Sequence, residues 1–243
     1  MTYRACPQQA LGRLLGQYPP DSIASFRGSL AHRLFARHLV DGPIPDADVT
    51  RACREEIGAT DGHLNMKLGP LELNRPSRLA PVIAQVGDLY ARFKRFPTDG
   101  FRAAEVALEF DAGSGVVLRG RVDAIFEDEA GTPTIIDWKT GSWLDDAEPQ
   151  LAFYSMVWAL ETGDLPARAE AVSVQTGERT AITPTVENAE RTAHDVAEMV
   201  DAFRAAFATG EDLERRAGPH CRWCPLLDTC AEGAAAVEIL TRA

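Results

Sequence analysis

The order of elements read along the chain predicts a mixed α/β fold. Three stretches carry that reading. Residues 78–95 place Leu79, Val82, Ile83, Val86, Leu89, Tyr90 and Phe93 at the 3.6-residue period of an amphipathic helix. Residues 104–127 alternate in strand fashion around a Gly113-Ser114-Gly115 turn. Residues 186–209 return to the helical period, with Ala189, Ala193, Val196, Val200, Phe203 and Phe207 on one face.

The remaining elements fill in the order helix, strands, helix, hairpin, helix. Residues 22–40 carry Leu30, Leu34 and Leu39 with Ala31, Phe35 and His38 between them, a helix expected to open at Arg27-Gly28-Ser29. The interval 41–75 is broken by Pro and Gly, and its elements are not legible, although "TRACREEIG" around Cys53 looks helical and makes Cys53 a buried thiol. A helix starts near Pro149 and runs through "QLAFYSMVWALE". Residues 169–183 suggest a second hairpin around Gly177. There is no repeat, low-complexity tract or long linker, so the expectation is one domain over residues 1–243.

Composition narrows the function classes. The 243 residues are 45% apolar and 25% charged, ordinary globular usage. No apolar run approaches the ~18 residues of a membrane span, and "MTYRACPQQA" lacks a signal-peptide core, so a soluble cytoplasmic protein with no membrane partner is expected. The net charge of −11 is not the usual footprint of a nucleic-acid binder. Charges more than about 10 Å apart are largely screened at 0.1 M salt, however, so a local basic groove can still hold DNA. The cations are nearly all arginine; the lysines are Lys67, Lys94 and Lys139. Five cysteines, an odd number clustered near the C-terminus, argue for metal or cluster ligation rather than disulfides.

The stretch "GRVDAIFEDEAGTPTIIDWKTG", residues 120–141, reads as a hairpin with acids in mid-strand. A turn centred on Ala130 sets Asp123 opposite Asp137 and Arg121 opposite Lys139, leaving Val122, Ala124, Ile136 and Trp138 to share the other face. Facing carboxylates at ~4.5–5.5 Å between Cβ atoms repel each other. A divalent cation reverses the sign, and Mg²⁺ or Mn²⁺ favours such oxygen ligands while also binding phosphate. Lys139, one pleat along, is placed to orient water or to neutralise charge developing on phosphate. The other reading is a solvent-facing Asp–Lys salt bridge, which the second acid and the apolar opposite face disfavour.

At these residues the chain resembles a PD-(D/E)xK nuclease of the RecB-like iron–sulfur type, the group that includes the CRISPR-associated adaptation exonuclease. The pattern G-x-x-D, then (D/E)-x-K-T-G, then Q-x-x-x-Y is matched by Gly120 to Asp123, Asp137 to Gly141 and Gln150 to Tyr154. An upstream G-x-x-x-H is matched by Gly28 to His32. The resemblance implies a restriction-endonuclease-like core, a mixed sheet flanked by helices. It implies Mg²⁺ or Mn²⁺ held by His32, Asp123, Asp137 and the Trp138 carbonyl, with Asp123, Asp137 and Lys139 catalytic. Gln150 and Tyr154 would then contact substrate, although Tyr154 could equally serve the core. Glu105 stands where many relatives carry an acid and supports the site or faces solvent. Arg27, Arg33, Arg37 and the arginines of "ERRAGPHCRW" are candidates for contacts to the nucleic-acid backbone.

"HCRWCPLLDTC" spaces Cys221, Cys224 and Cys230 as C-x2-C-x5-C, and "YRACP" supplies Cys6 as a fourth thiolate. Four thiolates hold Zn²⁺ or an iron–sulfur cluster, and spacing alone leaves both open. The resemblance favours a [4Fe–4S] cluster clamping residues 1–15 to 210–235 around a core of about 22–209. It implies a metal-dependent DNA exonuclease acting on single-stranded or frayed ends in recombination, repair or CRISPR adaptation, alone or with a helicase or adaptation partner. The alternatives are a DNA-binding adaptor whose own cleavage is dispensable, and an RNA-processing nuclease.

Overall fold

The computed structural model describes residues 2–59, 63–145 and 147–242. Contacts divide the chain into two units, Asp21–Glu190 and a smaller one of Met1–Pro20 with Arg191–Ala243.

The larger unit is built on a five-stranded mixed sheet flanked by helices. Strands β1 (Phe101–Gly113), β2 (Val116–Glu127), β3 (Pro133–Lys139), β4 (Arg168–Ser173) and β5 (Arg179–Ile182) lie side by side in chain order. All neighbours are antiparallel except β3 and β4. A parallel pair needs a crossover, which helix α7 (Ala147–Thr162) provides. Left-handed backbone at Gly113, Ser114 and Gly115 turns β1 into β2. In the next turn Asp128 Oδ1 accepts from the N–H groups of Ala130 and Thr132 at 2.9 and 2.8 Å. That turn sets the expected β2–β3 register, with pairs running from Glu127↔Pro133 to Ala124↔Ile136. Asp123 and Asp137 lie just past the end of this ladder, where β3 goes on pairing with β4 through Lys139↔Ser173. The two acids therefore mark the point where β3 parts from β2.

One face of the sheet packs against helices α3 (Ile23–Asp41), α4 (Val49–Gly58) and α6 (Pro76–Phe93). Ala124, Ile136, Trp138 and Val172 join that core, and Phe93 stacks on Phe35 and meets Trp138 edge-on. Alternation sends Asp137 and Lys139 to the face bearing α7. Helix α3 opens earlier than the sequence suggested. Its cap is Ser22, whose hydroxyl accepts from the Ser25 N–H at 3.0 Å while the Ser25 hydroxyl accepts from the Ser22 N–H at 3.0 Å. Arg27, Gly28 and Ser29 are already inside the helix. The unreadable interval holds α4, a single-turn helix α5 (Leu64–Lys67) and a 3₁₀ turn at Asp46–Asp48. Cys53 on α4 is fully buried.

The smaller unit contains α1 (Thr2–Ala5), α2 (Pro7–Leu14), two 3₁₀ turns at Pro219–Trp223 and Leu227–Thr229, and α9 (Ala231–Arg242). Helix α8 (Val186–Thr209) has the expected bounds. Its apolar stripe is not a core face: Ala206 is its one buried residue among those described, and Phe207 is exposed. No helix among the described residues is long and apolar enough to cross a membrane.

Candidate active site

Helix α3 delivers His32 to the parting of the strands. A Cβ at Gly28 would come within 3.3 Å of Thr140 Oγ1, so the glycine of G-x-x-x-H lets the helix lie close to the end of β3. His32 Nδ1 is 3.1 Å from Asp123 Oδ1, and Asp123 Oδ2 accepts from the Trp138 N–H at 2.6 Å. Glu105 completes the group. Its neighbours pair as Ala104↔Ala124 and Val106↔Val122, which sets Glu105 across from Asp123, and its φ of 53° is left-handed. Such backbone costs a residue with a Cβ roughly 1–2 kcal/mol. Ligand atoms of His32, Glu105 and Asp123 all lie within 4.8 Å of one another.

Electrostatics describe an excess of negative charge. Burial pushes the Glu105 carboxyl up, and the charge of Asp123 pushes it further. Asp137 is raised by the same two causes in the same order, against the pull of Lys139. Burial works to lower the His32 pKa, but the charge of Asp123 and the bond to it outweigh burial and leave it raised. All three shifts have the sign that a bound cation would relieve.

Asp137 belongs to a chain of contacts on α7. Lys139 Nζ stands 2.7 Å from Asp137 Oδ2 and donates to Gln150 Oε1 at 2.7 Å. Gln150 Nε2 in turn donates to the Tyr154 hydroxyl at 2.6 Å. Asp137 is buried, and its Oδ2 is held by the Lys139 ammonium in a close ion pair. Burial and the charge of Asp123 still outweigh that one ammonium, so a divalent cation beside the two acids would relieve them. A Cβ at Gly120 would sit 3.0 Å from the Tyr154 ring, which explains the glycine of G-x-x-D and places Tyr154 as a wall of the site. Burial, the largest influence, holds the Tyr154 hydroxyl at about 12, so it stays protonated.

Two open clefts meet at this cluster. One of about 460 Å³ is lined by Asp137, Lys139, Trp143, Gln150 and Tyr154, and one of about 1170 Å³ by Arg33, Arg37, Glu56 and Glu105. His32, Arg121 and Asp123 line both. Arg33 and Arg37 reach the larger cleft, but Arg33 Nε is 2.8 Å from Glu56 and Arg37 Nη1 is 2.8 Å from Glu55. A phosphate would have to compete with those acids. Arg27 bonds Gln85. Arg121 is more exposed, with Glu105 at 3.6 Å; the sequence set it opposite Lys139 in the hairpin but gave it no part in binding. Trp143, just beyond D-x-K-T-G, was passed over.

The smaller unit gathers the cysteines. Cys6, Cys221, Cys224 and Cys230 line one cavity with Arg215, Arg216 and His220. The Gly218 N–H donates to Cys221 Sγ at 3.4 Å and the Gly233 N–H to Cys230 Sγ at 3.3 Å. A Cβ at Gly233 would lie 3.2 Å from Cys230 Sγ, so this glycine lets α9 start against the sulfurs. Burial, followed by the neighbouring sulfurs, raises the Cys224 thiol.

The chain belongs to the PD-(D/E)XK nuclease superfamily, whose sequence model matches residues 1–231. Proteins of this superfamily use divalent metal ions, and His32, Glu105 and Asp123 form a group able to bind one. Solved structures similar to the chain include the following two. One, from Eubacterium rectale and described as a "putative exonuclease", is 17% identical with a TM-score of 0.47, covering 85% of this chain and 75% of that one. The other, described as SSO0001, is 17% identical with a TM-score of 0.35, covering 83% and 94%. Likenesses of that size carry nothing about activity. No curated protein matches the chain.

The left-handed acid gives a test with two opposite signs. Glu105→Gly relieves the backbone and one of the mutually repelling carboxylates, and should raise the melting temperature of metal-free protein. A gain of about 1 kcal/mol corresponds to roughly 2–4 °C. The same variant should lose nuclease activity if Glu105 helps to hold the cation, and Glu105→Gln should lose it without the backbone gain. Calorimetry in EDTA and a cleavage assay read the two effects separately. A Gly variant as active as wild type would remove Glu105 from the site.

Proposed function

We propose that this protein is a divalent-cation-dependent deoxyribonuclease, an exonuclease of DNA ends, with a [4Fe–4S] clamp in its smaller unit. The observation that carries the reading is the convergence of His32, Glu105 and Asp123 beside the Asp137–Lys139 pair, where β2 and β3 separate into an open cleft. His32, Asp123, Asp137 and the Trp138 carbonyl, with Glu105 added, would hold Mg²⁺ or Mn²⁺. Such an ion supplies Lewis-acid polarisation of a phosphate oxygen and a water of lowered pKa. Asp123 is oriented from both sides, by His32 and by the Trp138 N–H. Lys139 is aimed by Asp137 and Gln150, and its ammonium opposes charge building on the phosphate. Tyr154 fixes Gln150 from behind. Arg121, at the junction of the clefts, is the cation best placed to meet the substrate backbone.

The cysteine spacing supports a cluster over zinc. Zinc sites more often pair two short C-x-x-C knuckles, whereas here one ligand, Cys6, stands 215 positions before Cys221. The two N–H groups directed at sulfur suit either thiolate site. The work assigned to the protein is end processing in recombination, repair or CRISPR adaptation, in the cytoplasm.

End-labelled linear single strands, blunt duplexes, closed circles and RNA, each incubated with Mg²⁺ or Mn²⁺, test the activity. Linear DNA should be shortened from an end while closed circles persist. Hydrolysis of RNA alone would replace the substrate, and hydrolysis of none of them would end the nuclease reading.

A further inference from the structure

One side chain of the smaller cleft serves neither the acid cluster nor the core. Trp143 lies between β3 and α7 and is 72% exposed. Its segment is nonetheless fastened. The Gly141 carbonyl accepts from the Ser173 hydroxyl at 2.8 Å, the next side chain, Leu144, is buried, and the Leu144 carbonyl accepts from the Ala147 N–H at 2.9 Å. A short tether anchored on both sides thus turns Leu144 inward and leaves the indole in water. Leaving a large aromatic surface in water forgoes the burial free energy an indole normally contributes, so an isolated one beside reactive groups asks for a ligand.

The cleft says what that ligand looks like. Trp143 shares it with Asp123, Asp137 and Lys139, the groups that would face a phosphate, and with the exposed Arg121. Its other aromatic residues are already occupied. Trp138 is buried against Phe93, and Tyr154 rests on Gly120 with its hydroxyl bonded to Gln150. A cationic and acidic floor for phosphate with one exposed indole on the wall matches a single nucleotide, charged at one end and flat at the other. Base–aromatic stacking requires an uncovered base face. Inside a duplex both faces are covered by neighbouring pairs.

We propose that Trp143 stacks on an unpaired base of the DNA strand whose phosphate lies at the acid cluster, and so positions single-stranded ends in preference to duplex. The inference rests on the nuclease reading for its substrate, and the test separates the two. Full-length wild type, Trp143→Ala and Trp143→Phe are titrated with a labelled oligodeoxynucleotide and with the same sequence inside a closed circular duplex, which has no end and so no uncovered base face, in Ca²⁺ to slow cleavage. An abasic residue is then walked through the terminal positions. Trp143→Ala should bind the single strand roughly 5- to 150-fold more weakly, the span of one base–aromatic stack, with Trp143→Phe in between and duplex binding unchanged. One abasic position should weaken wild type by the same factor and leave Trp143→Ala unaffected, since the two changes delete the same contact. Equal single-strand affinity of wild type and Trp143→Ala, or the same abasic profile in both, overturns the proposal even if the protein cleaves DNA. Should wild type show the stacking signature but hydrolyse nothing in Mg²⁺ or Mn²⁺, stacking stands and the nuclease reading falls.

Discussion

Asp123→Ala and Asp137→Ala should each abolish cleavage, and Asp137→Ala should leave the metal-free protein as stable as wild type or more so. The two halves of that result have one cause. Asp123 offers Oδ1 toward His32 and Oδ2 to the Trp138 N–H, and Asp137 is buried with Oδ2 2.7 Å from the Lys139 ammonium. Deleting either removes an ionic ligand worth several kcal/mol of charge stabilisation, which at 1.36 kcal/mol per decade is on the order of a thousandfold or more in rate. Without the ion, the Asp137 carboxylate is a burden. Asp137 has a pKa raised in the folded state, first by burial and then by Asp123. A carboxyl raised on folding holds its proton more tightly folded than unfolded, so its ionisation destabilises the fold. That loss sets in as pH climbs past the unfolded value of 3.8 and is complete above the raised one. At neutral pH, Asp137→Ala therefore sheds a liability along with an activity, although it also leaves a small cavity. Melting curves in EDTA and in Mg²⁺ expose both sides: the ion should stabilise wild type by mass action and do little for either variant. Undiminished cleavage by either one would sink the cation assignment.

Much of this was legible in the chain, and the reasons are local. The β2–β3 register followed from one turn, because antiparallel partners keep a constant index sum and Asp128 pins the loop. Helix α8 follows Pro184, and α7 and α8 both end at a Thr before a Gly. Helix α7 starts at Ala147, two residues ahead of the Pro149 that marked it in the sequence. What failed depended on other parts of the chain. Helix α3 starts at a serine pair instead of the usual Ser-to-Glu box, so its cap looked like loop. The stripe on α8 is correct as a pattern, but periodicity does not say whether anything covers it. The acids of the site stood out because they interrupt strand alternation. Glu105 showed only as an acid near a strand start, since no sequence pattern encodes its left-handed backbone. Arg33 and Arg37 read as free cations because their partners, Glu56 and Glu55, come from a segment that could not be placed. Trp143 lies outside every periodic element.

Cys6→Ser should separate the clamp from the chemistry. If Cys6 and the three later thiolates share a cluster, purified wild type should be brown, with broad absorption near ~400 nm and about four irons per chain. Cys6 is the one thiolate contributed by the N-terminal end of the smaller unit; Cys221, Cys224 and Cys230 follow in one short stretch. Its loss unties a loop spanning nearly the whole chain, worth roughly 4–5 kcal/mol if a disulfide is the guide. That is a large share of a domain's ~5–15 kcal/mol, so Cys6→Ser should lose iron and melt early or aggregate. Lys139→Ala should do the reverse. It removes the ammonium 2.7 Å from Asp137 and the donor to Gln150, but touches nothing in the cysteine cavity. Iron content and colour should stay, and cleavage should collapse. Its melting temperature should match wild type in Mg²⁺, where the ion still offsets Asp137, and fall in EDTA, where a buried carboxylate has lost its counter-charge. Anaerobically prepared wild type that is colourless and contains zinc would overturn the cluster. Full iron in Cys6→Ser would instead point to His220, which lines the cavity with Nε2 3.8 Å from Cys221 Sγ. Cys53 would not be the replacement: it is buried on α4 in the core of the larger unit, and burial holds its thiol at about 11.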